Sequence, residues 1–314
     1  MTATTPLTPA GSGASAAGRP NGPAGAASPG GVPASAGAAG PTRRHSREDR
    51  QKWLRFTLLL VITVVVLVPV LVSVILSLTP SDATPGTALT LENFATVISG
   101  SSVMTWMVNS LQVAGFTVLV SVLFAAPAAY AISRSRSGLI TGYSLVLFIV
   151  QSLPIVTSVI PLFILFANIG LVDNLFGVSL VYIGSAMAVA TWMLAGYFDS
   201  IPVSLEEAAW IDGCSVFGSF VRIVLRNSLP GVLSAAIFTF LLAWNDYLVA
   251  LVFLRSDSKL TLPMGMQSFF QQNSTDWGSV MAVAVLMMIP PILVFTVLNR
   301  YFSVGGIGGS LAGR

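Results

Sequence analysis

The chain has 314 residues, 54% of them apolar and only 9% charged, with a formal net charge of +3 and a mean hydropathy of +0.83. Soluble domains carry about 25% charged residues, so an ordinary water-soluble enzyme is excluded. The two lysines, Lys52 and Lys259, lie outside any Gly-x-x-x-x-Gly-Lys-[Ser/Thr] context, which excludes a P-loop ATPase within this polypeptide. The single Cys214 excludes a disulfide framework or a paired-cysteine metal site, and the single His45, in a polar tail, leaves no imidazole for a buried triad.

Residues 1–41 are Ala, Gly, Pro, Ser or Thr at 36 positions, with no aromatic residue and one charge, Arg19. Such a segment buries too little apolar surface to offset its ordering entropy, so disorder is expected. A basic run follows: Arg43, Arg44, Arg47, Arg50, Lys52 and Arg55. Residues 1–52 are therefore read as a disordered cytosolic tail ending in this run, and 53–314 as a transmembrane domain.

The apolar run from Phe56 to Leu78 is long enough to cross a hydrocarbon layer of about 30 Å as an uncleaved anchor. Five further runs have spanning length: Ser110–Ile132, Tyr143–Phe166, Val178–Phe198, Gly231–Phe253 and Val280–Leu298. With both termini cytosolic, 13 of the 15 basic residues fall inside and only Arg255 and Lys259 fall outside; the positive-inside rule selects this orientation. The expected fold is an all-α membrane protein of six transmembrane helices. Prolines 69, 127, 154, 161, 290 and 291 lie in the spans, where they either kink helices around a pathway or are tolerated, as membrane helices allow. No tandem or inverted repeat of the kind found in many secondary transporters is visible.

The loop 199–230 carries the most specific signal. Ser204 followed by Glu207 reads as a capping box opening a short helix, and Asp212-Gly213 as its left-handed end. Ala208 and Ala209 leave room for a close partner. Phe217, Phe220, Val221 and Val224, with Arg222 and Arg226 at i, i+4, form a second amphipathic piece suited to the headgroup layer. On local physics alone, an interfacial hairpin joining two spans explains the loop equally well.

Within the fifth span, Trp244-Asn245-Asp246-Tyr247 places an ionisable group where insertion scales charge about 2.5–3.5 kcal/mol for an aspartate at the centre. Amide and carboxylate beside two flat aromatic faces suit a sugar; helix cross-linking is the plainer alternative. Gln112, Gln151 and Asn168 are weaker pathway candidates that also serve as packing groups.

The order Glu207-Ala208-Ala209, three residues, Gly213, nine residues, Ile223 resembles the Glu-Ala-Ala loop of ABC-importer permeases. Further segments occur in family order: Asn109-Ser110-Leu111, Ala129-Tyr130-Ala131, Ser200-Ile201-Pro202, Phe238-Thr239-Phe240, Trp244-Asn245-Asp246, Thr261-Leu262-Pro263, Asp276-Trp277-Gly278 and Arg300-Tyr301-Phe302. Over residues 53–303 the chain resembles the second permease subunit of maltose-type carbohydrate importers. The resemblance implies the ABC type I importer permease fold, with a cytosolic coupling helix in which Glu207, Ala208, Ala209, Asp212 and Gly213 meet an ATPase subunit. Trp244, Asn245, Asp246 and Tyr247 are pathway candidates on their own chemistry; the resemblance adds that in this type the sugar site lies mainly on the other permease.

The implied partners are a homologous permease, two ATPase subunits, an extracytoplasmic sugar-binding protein and membrane lipid, with no nucleic acid. No cofactor is implied on this chain, and ATP and Mg belong to the ATPase partners. The implied location is the cytoplasmic membrane of a prokaryote. Two positions depart from the family: Arg226 stands where a proline is usual, and Val304 where a basic residue follows the aromatic pair. The rival readings are an ion-coupled secondary transporter, an ABC permease for a non-sugar solute, and a membrane scaffold.

Overall fold

The computed structural model describes residues 44–80, 89–135, 137–270 and 275–306, except the side chains of 44–50 and 302–306. Of the tail expected to be disordered, residues 1–52, residues 1–43 lie outside the described residues, and from Arg44 onward the expectation is corrected because the chain is already helical. Among those described there is no strand. The chain divides into two compact units, Met1–Leu59 and Leu60–Arg314. The described part of the first is helical from residue 44, so the basic run from Arg44 stands on helix α1 (Arg44–Ser77) rather than ahead of it. Trp53 meets Phe56 edge to face there, with centroids 6.0 Å apart.

Three elements of the second unit cross-pack as its core: α3 (Val103–Arg134), α6 (Leu175–Asp199) and α10 (Leu229–Asn245). Their contact stripe is built from small residues, with Ala125, Ala126, Ala129, Ala190, Ala195 and Ala235 buried between Leu194, Phe198 and Phe220. Small side chains let helix backbones approach closely, which is how helices associate where lipid is as apolar as leucine. The closest approach is at Gly231, where a Cβ would lie 2.2 Å from the ring of Tyr197. Only glycine fits there.

Among the described residues, four helices have the length and apolarity to span as single rods: Gln51–Ser77 within α1, α3, α6, and Trp277–Tyr301 within α13 (Trp277–Gly306). The other two expected spans are not single helices. The third, 143–166, is two helices, α4 (Gly138–Ser152) and α5 (Ile155–Asn168), meeting at 96°. Pro154 is the cause: it lacks an N–H, and its ring drives Leu153 out of the helical region to φ −77°, ψ 124°. Pro69, Pro127, Pro161, Pro290 and Pro291 remain inside their helices.

The fifth expected span, 231–253, is likewise interrupted. Helix α10 ends at Asn245, Asp246 is extended, and α11 (Leu248–Phe253) begins anew. On its N-terminal side, the chain 216–227 meets α10 at 76°. That stretch comprises α8 (Val216–Ser219), a π-helical turn (Phe220–Val224) and α9 (Leu225–Asn227). The helix thus continues through Arg226, as the absence of a proline allows, and breaks at Ser228 beside Pro230.

Among the described residues two short α-helices were not expected, α12 (Leu262–Gly265) and α2 (Glu92–Gly100), both too short to register as spans; the second is tied to the end of α1. Its buried Asn93 donates Nδ2 to the carbonyls of Ser77 at 3.0 Å and Thr79 at 2.8 Å.

Candidate coupling and pathway sites

Helix α7 (Ser204–Ile211) occupies the middle of loop 199–230. It opens without the expected capping box. Its N-cap is Val203, already helical at φ −61° and ψ −28°, so Ser204 is the first helical residue and its hydroxyl caps nothing. The orphan donors are satisfied by a tight turn instead: Leu205 N–H donates to Pro202 O at 3.2 Å, and the amides of Glu206 and Glu207 donate to Val203 O at 2.9 and 3.0 Å.

The C-terminal end matches the expected left-handed exit. Gly213 has φ +85°. Its N–H donates to Trp210 O at 3.0 Å, and that of Cys214 reaches back to Ala209 O at 2.8 Å. These two bonds constitute a Schellman motif, which only a residue tolerant of positive φ closes cheaply. Beyond it, Ser215 caps α8 by accepting from Gly218 N–H at 3.1 Å, and Trp210 Nε1 donates to Ser219 Oγ at 2.9 Å. The reversal between α7 and α8 is therefore braced on both sides.

The two adjacent glutamates of α7 point to different sides. Glu206, not Glu207, is fully buried. Its carboxylate accepts from Arg134 Nε at 2.7 Å and from the Tyr130 hydroxyl at 2.6 Å, both at the end of α3. Arg134 also donates to Ile201 O at 3.3 Å and lies 5.9 Å over the Tyr130 ring, which itself packs on Phe220 at 4.7 Å. Removing one partner of such a buried pair typically costs about 3–5 kcal/mol. The readable signal was Arg134 itself, a cation left at the end of a span with no assigned partner.

Glu207, Ala208, Asp212 and Gly213 are exposed and Ala209 is half-buried. Beside them Ile211 is 87% exposed and Phe217 74% exposed. A braced helix with one buried ionic anchor results, its exposed outer side combining Glu207 and Asp212 with Ala208 and Ile211.

Trp244, Asn245, Asp246 and Tyr247 stand at the α10–α11 break, far from α7 along the bundle. Trp244 is buried, stacks on Phe240 at 5.6 Å and donates Nε1 to Met287 O at 3.2 Å. Asp246 Oδ1 accepts from the Tyr182 hydroxyl at 2.8 Å and from Val249 N–H at 2.9 Å, so it caps α11 and ties it to α6. Asn245 is exposed and bonds Leu241 O at 3.0 Å. The break, rather than an uninterrupted span, is what supplies this aspartate with donors. Gln112, Gln151 and Asn168 are exposed on the surface of the chain.

The same far end gathers three of the other family-like segments, those at 109–111, 261–263 and 276–278. Trp106 Nε1 donates to Asp257 O at 2.9 Å, Asn109 Nδ2 to Ser258 O at 3.0 Å and Leu260 O at 2.9 Å, and Leu262 N–H to Ser110 Oγ at 2.7 Å. Asp276 Oδ1 accepts from the amides of Gly278 and Ser279 at the start of α13.

Asp173, at φ +54°, clasps the loop after α11. It accepts from the amides of Arg255 and Ser256 at 3.0 Å and from the Ser256 hydroxyl, while Lys259 Nζ bonds its carbonyl at 2.6 Å. Partial desolvation raises the pKa of this carboxyl, but the Ser256 and Arg255 hydrogen bonds and the Lys259 charge outweigh it and hold the group well below the usual range.

Residues 121–304 match the family model of the binding-protein-dependent transport system inner membrane component. The chain belongs to that family. The permease is 34% identical over 240 residues to the alpha-glucoside transport system permease protein of Rhizobium meliloti, covering 74% of this chain and 62% of that one. It is 31% identical over 230 residues to the trehalose transport system permease protein of Mycobacterium tuberculosis, covering 72% and 83%. Its fold matches one chain of a bacterial ABC transporter involved in import of the acidic polysaccharide alginate, with a TM-score of 0.69, 23% identity and coverage of 82% and 98%. The all-α architecture is thus the ABC importer permease fold, in a multi-pass inner-membrane protein.

Proposed function

We propose that this permease forms half of the translocation pathway of an ATP-driven importer for a sugar or oligosaccharide, with both termini cytosolic. Its partners are a homologous permease, two ATPase subunits that bind ATP and Mg, and an extracytoplasmic sugar-binding protein. The chain itself hydrolyses nothing. The observation that carries the reading is α7: a stiff eight-residue helix, closed by a Schellman turn, whose outer face leaves Glu207, Ala208, Asp212, Gly213 and Ile211 exposed. Glu207, Ala208, Ala209, Asp212 and Gly213 make the contact with the ATPase subunit. The substrate class follows the alpha-glucoside and trehalose permeases among the relatives.

Of the four pathway residues, Asn245 is the exposed one; its Nδ2 gives one N–H to Leu241 O, and its amide oxygen is the group offered to a solute, with Tyr247 nearby in sequence. Trp244 and Asp246 hold the break that presents them. The orientation is supported by the basic residues gathered on one side of the spans. The test is to purify the assembled complex and titrate its binding protein with maltose, trehalose and alginate oligosaccharides, reading stimulated ATP hydrolysis. Stimulation by at least one neutral sugar is expected; stimulation by none, with ionophore-sensitive uptake, contradicts the reading.

A further inference from the structure

Helix α3 is held at both ends by bonds that involve its own side chains. At one end Arg134 Nε meets the buried Glu206 at 2.7 Å and Tyr130 donates to the same carboxylate at 2.6 Å. At the other, Trp106, Asn109 and Ser110 bond backbone groups of Asp257, Ser258, Leu260 and Leu262. Both clamps lie within one helix of 32 residues, about 48 Å from end to end at 1.5 Å per residue. Glu206 is the inner anchor of α7, and nothing on the outer face of that helix uses it. A fully buried carboxylate is costly unless its partners are fixed, so α7 and the end of α3 move as one piece or the pair must break.

We infer that Glu206, Arg134 and Tyr130 are positioning residues that turn α3 into a push-rod. Displacement of α7 by the ATPase subunits is delivered through the Glu206–Arg134 pair to α3, and by α3 to the segment 257–262 at the opposite end. The inference rests on the reading of α7 as the ATPase contact, and it adds the route by which that contact is felt across the membrane. Coupling along such a route is established only by showing that both ends respond to one perturbation.

The test uses the assembled complex in lipid nanodiscs, with Cys214→Ser and Ser258→Cys on this chain. Ser258 is exposed, while its carbonyl is one of the groups held by Asn109. The probe is ATP with vanadate, and the readout is the maleimide labelling rate at position 258 with and without trapping. With the pair intact, trapping is expected to change the rate at least fivefold. In Glu206→Gln the change falls below twofold, while ATPase subunits still co-purify and basal ATP hydrolysis stays within twofold.

A full response in Glu206→Gln overturns the push-rod. Loss of the ATPase subunits from Glu206→Gln overturns it too, since Glu206 would then act by shaping the docking face. If that variant fails to fold and insert in the membrane, Arg134→Lys and Arg134→Gln decide: the lysine, which keeps the charge, retains at least half the response and the glutamine abolishes it. Equal responses in those two contradict the inference. Ile211→Asp separately tests the docking reading. Full retention of ATPase subunits in that variant sinks the docking reading, whatever position 258 does.

Discussion

The two ends of the bundle are built by different rules. At the α7 end, a buried ion pair anchors a helix whose outer side is exposed, with Glu207, Ala208 and Ile211 on it and Phe217 of α8 beside it. At the opposite end, the connecting segments are knitted by many side-chain-to-backbone bonds, from Trp106, Asn109, Ser110, Asp173, Asp246 and Asp276. A network of six or more neutral and charge-assisted bonds, each worth about 0.5–3 kcal/mol, fixes shape and tolerates the loss of one member. An anchor that gathers both Arg134 and Tyr130 on one carboxylate, Glu206, fixes position and loses both bonds when that one residue is cut. The first design suits a platform, and the second suits a lever with a docking face.

The sharpest way to break this contrast is Gly213→Pro. Proline near φ −65° conflicts with the +85° observed and removes the N–H that bonds Trp210. The expected outcome is normal insertion with at least a tenfold fall in stimulated ATP hydrolysis, or loss of the ATPase subunits on purification. Gly231→Ala comes next, because a Cβ there meets the Tyr197 ring at 2.2 Å. It should lower the yield of folded protein and its unfolding temperature, by roughly 1–3 kcal/mol on the scale of overpacked cores, without altering the ATPase contact in the molecules that fold.

At the pathway break, two substitutions separate framework from pathway. Asp246→Ala strands the Tyr182 hydroxyl and the Val249 amide, a cost of about 1–3 kcal/mol per buried group, and should reduce yield and uptake in parallel. Asn245→Ala should reduce uptake severalfold at unchanged yield. Identical behaviour of the two would return Asn245 to the framework.

The smallest effect concerns Asp173. Its carboxyl is held below its ordinary pKa, so its contribution is present above the unfolded value of about 3.9 and is lost as pH falls through the lower folded value. Between pH 5 and 8 the unfolding temperature should show no dependence on this group. Below pH 4 the parent should lose stability more steeply than Asp173→Asn, as measured by thermal unfolding in detergent.

Much of the architecture was legible because long apolar runs leave a chain little choice in a bilayer. Less legible were the interruptions. Six prolines looked alike in the sequence, yet only Pro154 ends a helix, because only there does the preceding residue leave the helical region. The α10–α11 break has no proline at all, and is stabilised by a hydroxyl from α6 that no local pattern reveals. In the loop, the left-handed Gly213 was readable from its chemistry, whereas the inward glutamate was not. Ser204 and Glu207 match a capping box on paper, but Pro202 and Val203 start the helix one residue early, and Glu206 is the buried one. Two adjacent glutamates differ only in helix phase, and phase is set by tertiary contact with Arg134.

The central claim is that the outer face of α7 meets the ATPase subunit while the far end does not. The direct measurement is site-specific cross-linking in the assembled complex, with Cys214→Ser as background and a photoreactive probe on Ala208→Cys or on Ser258→Cys. The account predicts a product with the ATPase subunit from position 208, changed in yield by ATP, and none from position 258. Absence of that product from 208 in an intact complex, or an equal product from 258, would contradict it.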